Sequence, residues 1–81
     1  MNLKEAVSDI LCELNRAENI HPEWPEDIIH QLAIMAEESG ESLQAALNYH
    51  YHDDTKLKIR RELIQTGAMV LRCLKNIDWK E

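Results

Sequence analysis

Residues that break regular structure are scarce in this chain of 81: two prolines and two glycines. Pro22 and Pro25 bracket Glu23 and Trp24, and no proline follows, so from Glu26 to His52 only Gly40 weakens a helix. Long apolar runs are missing too, and nothing approaches the roughly 20 residues that a membrane-spanning helix needs. Acids at Glu5 and Asp9, with no continuous apolar run, set the first residues apart from a signal peptide. The expected setting is cytoplasmic, with no membrane partner. Cysteine is limited to Cys12 and Cys73, which have no metal or redox spacing; both are expected to be small buried residues in a reducing compartment. Bases are lacking at first and gathered late. From Met1 to Asp54 twelve acids face two bases, Lys4 and Arg16; from Thr55 to Glu81 seven bases face three acids. The net charge of −6 argues against duplex nucleic acid as a partner. An acidic part beside a basic helix suits a metal with a phosphate-bearing ligand, and equally suits pairing within or between chains.

What is present points to one all-α domain over residues 1–81. Leu3, Val7, Ile10, Leu11, Leu14 and Ala17 repeat at the spacing of an amphipathic helix over residues 1–19. That helix carries no recognisable chemistry, and packing is its expected role. Residues 19–25 form a connector with Trp24 as a plug beneath it, and Pro25, Glu26 and Asp27 suit a helix start. The second helix should run to about His52, roughly 40 Å at 1.5 Å per residue. A compact chain of this length has a radius of gyration of only about 12 Å. Such a helix outruns its own chain, so a bundle completed by oligomerisation, a homodimer or homotetramer, is expected. Asp53, Asp54 and Thr55 read as a turn. A third helix follows from Lys56 to about Ile77, with Leu57, Leu63, Ile64, Ala68, Leu71 and Leu74 as its stripe.

Three glutamates, Glu37, Glu38 and Glu41, fall within five positions of the second helix. At spacings of three and four they share one side and repel each other by a few tenths of a kcal/mol per pair. A divalent cation with oxygen ligands rewards such clustering; a solvated acidic face is the plainer alternative. Glu62 and Gln65 form a second polar pair on the third helix. His50 and His52 stand two apart and share no face, so they read as solvated. His30 precedes Glu37 by seven residues and falls on the same broad side.

Glu37-Glu38-x-x-Glu41 followed after 20 residues by Glu62-x-x-Gln65 resembles the signature of the all-α nucleoside triphosphate pyrophosphohydrolases, the MazG-like superfamily. Its pattern is Glu-Glu-x-x-Glu, then Glu-x-x-Asp. Trp24-Pro25, the run from Ala36 to Glu41 and the run from Glu62 to Met69 extend the resemblance to residues 22–75, most closely to a small group from phage and bacterial genomes. The resemblance implies a MazG-like helical bundle binding Mg²⁺, with Mn²⁺ as alternative, that converts a nucleoside triphosphate to the monophosphate and pyrophosphate. It implies Glu38, Glu41 and Glu62 as metal ligands, with Gln65 in the place of the signature Asp. Glu37 and Glu38 become the catalytic pair, with Glu37 as an additional ligand or orienting the attacking water. Trp24, His30, Lys58 and Arg61 become the substrate contacts, the two bases reaching phosphate oxygens. Gln offers a carbonyl oxygen but no charge, which lowers metal affinity. Two other readings fit the same residues: a non-catalytic nucleotide- or metal-binding module, and a helical oligomerisation unit.

Overall fold

The computed structural model describes all residues from Met1 to Glu81. Three helices make up the fold: α1 (Leu3–Ile20), α2 (Ile28–His52) and α3 (Lys56–Asn76). Each begins where a short polar side chain caps it. Asn2 accepts from the Glu5 amide, Asp27 from the His30 amide and Thr55 from the Leu57 amide. α2 ends at Asp53, whose φ of 59° lies in the left-handed region that Asp tolerates better than most residues. With Asp54 and Thr55 it reverses the chain, and α3 returns alongside α2.

α3 is the central helix. α1 and α2 each pack on it, and their backbones do not approach one another. Side-chain pairs give the directions. Asp9 meets Arg60 and Glu18 meets Lys75, so α1 runs parallel to α3. Ser42 meets Thr66, and the Cys73 thiol reaches the Gln31 carbonyl, so α2 runs antiparallel to it. Leu14, Ala17, Ala68 and Met69 form the core, with Ile10, Trp24, Ile34, Met35 and Leu71 packed against them. With no phenylalanine to fill space, the helices approach through small residues. Gly67 faces Ile10 so closely that an added Cβ would lie 2.8 Å from its terminal methyl.

This core is small. Only 8 of 81 residues are buried, and two of these, Gln31 and Arg72, are polar. Of the expected stripe on α1, the edge with Leu14 and Ala17 is covered, while Leu3, Val7 and Leu11 stay exposed. Cys12 is exposed as well, contrary to expectation. It sits two residues from both Ile10 and Leu14, which puts it across the helix from the buried edge. Cys73 is buried as expected, and burial pushes its thiol up. On α2 and α3, Leu32, Leu43, Leu47, Leu63, Val70 and Leu74 remain exposed. The accessible surface is 6180 Å². Size scaling gives about 5,000 Å² for a folded monomer of this mass.

Gly40 lies inside α2 with nothing within 4 Å of an added Cβ. Gly40→Ala is therefore expected to stabilise the fold by about 0.5–1 kcal/mol through helix propensity. Thermal unfolding checks this: Tm should rise by several degrees. A fall would mean that another backbone packs at this position in solution.

Candidate metal centre and its cavity

Glu38 and Glu41 face α3 from successive turns of α2, and Glu62 faces them from α3. One carboxylate oxygen from each lies within 4.8 Å of the others. Two hydroxyls set this register. Ser42 and Thr66 bond to each other at 3.0 Å across the helix pair. Within their own helices Ser42 donates to the Glu38 carbonyl at 3.3 Å, and Thr66 to the Glu62 carbonyl at 2.8 Å. Each hydroxyl therefore stands one turn beyond the glutamate it serves, and the contact between them brings the two glutamates level.

The carboxylates are poorly satisfied by protein alone. Glu38 Oε2 and Glu62 Oε2 are both buried without a hydrogen-bond partner. Burial first, then the charges of Glu41, Glu62 and Glu37, push the Glu38 carboxyl up from its ordinary value. Burial and the neighbouring Glu41 push Glu62 up, while Arg61 acts in the opposite sense. Orphaned oxygens and an all-oxygen donor set fit a hard divalent cation such as Mg²⁺ or Ca²⁺, and suit softer metals poorly.

Beside this trio lies a cavity of about 350 Å³. Glu38 and Gln65 reach it from α2 and α3, and Trp24 and Pro25 wall it from the connector. Trp24 is half-buried, its ring under the Arg72 guanidinium at 4.4 Å. Arg72 also donates to the His21 carbonyl at 2.6 Å and so ties the connector to α3.

Of the residues singled out from the sequence, Glu38, Glu41 and Glu62 come together, and Gln65 and Trp24 share the adjoining cavity with Glu38. Glu37 is exposed beside the trio and contributes charge to it. His30 is exposed in the first turn of α2 and lines neither the trio nor the cavity. Lys58 stands one turn before Glu62, but its ammonium is tied to Asp54 at 2.9 Å. Arg61 lines a different groove, between α1 and α3. The helix to which no chemistry was assigned supplies Glu13 and Arg16 to the cavity wall. Nothing in the local pattern of α1 marks them; only its parallel course beside α3 brings them there.

Among known proteins, no family model, no curated protein and no solved structure matches the chain.

Raised carboxyl values carry a stability consequence. A folded state that holds Glu38 and Glu62 above their ordinary value of 4.5 is favoured when they are protonated. Their contribution is therefore complete below that pH and is lost as pH rises through the raised folded values. In metal-free buffer, Glu38→Gln and Glu62→Gln should melt above the unsubstituted protein near neutral pH, with the gap closing in acid. Adding Mg²⁺ should raise the Tm of the unsubstituted protein and leave the variants nearly unmoved. Melts across pH with and without the ion read both effects.

Proposed function

We propose that this protein is a Mg²⁺-dependent nucleoside triphosphate pyrophosphohydrolase, releasing a nucleoside monophosphate and pyrophosphate. The observation that carries the reading is the convergence of Glu38, Glu41 and Glu62 from two antiparallel helices, with two of their oxygens buried and unpartnered. The MazG-like arrangement of motifs supports it, since the signature glutamates are the residues that meet. In this reading those three carboxylates hold the ion, and Gln65 lends a neutral oxygen at the edge of the cavity. Bound there, the ion would neutralise phosphate charge and lower the pKa of a coordinated water. Glu37, exposed and in no ion pair, would orient that water. The cavity between the trio and Trp24 takes the nucleoside, with Pro25, Ile34 and Met69 as apolar lining. Arg16 stands on its wall, paired with Glu13.

The assembly proposed with this activity is a homodimer or homotetramer. The surface of 6180 Å² exceeds the scaling value by about 1,200 Å². A standard interface buries about 800 Å² per partner. The exposed leucines of α2 and α3 supply apolar area for it. Light scattering should give a mass well above 9.5 kDa, and a clean monomer would contradict the assembly.

Pyrophosphate release from a panel of ribo- and deoxyribonucleoside triphosphates tests the chemistry. Glu38→Gln or Glu62→Gln should reduce it by more than the roughly 10–100-fold that outer-shell changes cost. If calorimetry shows Mg²⁺ and nucleotide binding but no substrate turns over, the protein is a binding module. If neither binds, it is an oligomerisation unit.

A further inference from the structure

The start of α3 is built against its own dipole. Helix N-termini favour acids, yet Lys56, Lys58, Arg60 and Arg61 are four cations in the first six residues, with no acid before Glu62. Lys58 and Arg60 have carboxylate partners in Asp54 and Asp9. Arg61 forms no ion pair and is exposed.

Beside these residues an open groove of about 430 Å³ separates α3 from α1. Its charged walls are Asp9, Glu13, Arg16, Arg60 and Arg61, three positive to two negative. The two acids hold their arginines in place and do not use them up. A guanidinium has five N–H donors. Arg16 gives Nε and Nη2 to Glu13 at 2.9 and 2.7 Å, and Arg60 gives Nη2 to Asp9 at 3.1 Å. The remaining donors of both, and all five of Arg61, are uncommitted, on side chains that are half-exposed or more. Three planar forks thus line one groove, and each can meet phosphate oxygens in bidentate fashion.

We infer that the α1–α3 groove is an anion site distinct from the carboxylate trio, holding a di- or triphosphate group through Arg16, Arg60 and Arg61. Glu13 and Arg16 also stand on the wall of the cavity that contains Glu38, so an oligophosphate bound in the groove lies beside that cavity. No metal is required for this binding, and the site stands whether or not the chain hydrolyses nucleotides.

Calorimetric titration of the full chain with inorganic pyrophosphate, in low salt with a chelator present, tests it. The expected result is one site per chain that weakens as salt is added, with orthophosphate about tenfold weaker. Arg61→Gln disturbs no ion pair and should cost about tenfold in affinity. The double variant Arg60→Gln, Arg61→Gln should abolish binding, with circular dichroism reporting that the helices persist. Glu38→Gln should leave binding unchanged. Absence of binding to the unsubstituted chain, equal affinity in Arg61→Gln, or loss in Glu38→Gln would each overturn the inference. Since no divalent ion is present, these outcomes are independent of pyrophosphohydrolase activity.

Discussion

Glu38, Glu41 and Glu62 repel one another, and the α2–α3 contact keeps them close all the same. The bond between Ser42 and Thr66 decides this, because each hydroxyl also grips the carbonyl of the glutamate one turn before it. Sliding one helix along the other by a turn would separate the glutamates and relieve the repulsion, but it would break that bond in a half-buried interface. Two neutral hydroxyls, each worth about 1 kcal/mol net when bonded, thus fix a charge arrangement that the charges themselves oppose. The raised carboxyls and the orphaned oxygens are the visible cost.

The remainder of the fold is economical. α3 serves two partners with two faces: a core of four residues joins it to α1, and Ile34 and Met35 of α2 pack against that core. Small side chains allow the close approach, and buried Arg72 closes the open end by stacking on Trp24 and binding the His21 carbonyl. The same connector therefore covers the core and walls the cavity beside the carboxylates. Apolar residues that the three helices cannot cover remain on the outer faces of α2 and α3.

Much of this was legible beforehand. Helices expected over 1–19, from Glu26 to about His52 and from Lys56 to about Ile77 lie at Leu3–Ile20, Ile28–His52 and Lys56–Asn76. Capping residues and the two prolines mark those boundaries chemically. The shared face of Glu38 and Glu41 was legible too, because a spacing of three within a helix fixes a face; that Glu62 meets them from α3 was implied only by the family resemblance. What a face meets is not written in its period. The stripe of α1 has two edges, and its pattern does not say which one α3 covers, so Cys12 was misplaced. The parallel course of α1 depends on the span of the connector, and with it go Glu13 and Arg16 on the cavity wall. The buried Gln31 and Arg72 were likewise hidden, since both are ordinary helix-surface residues by composition.

The connectivity has a further consequence for the order of assembly. α2 and α3 are joined by three residues, and their Ser42–Thr66 contact spans 24 positions. The ties of α1 to α3, Asp9 to Arg60 and Glu18 to Lys75, span 51 and 57. Each doubling of a closed loop adds about 0.6 kcal/mol of entropy cost, so chain entropy favours closing the α2–α3 hairpin before α1 packs on α3. The three glutamates belong wholly to the α2–α3 hairpin, and the arginine groove exists only where α1 packs on α3.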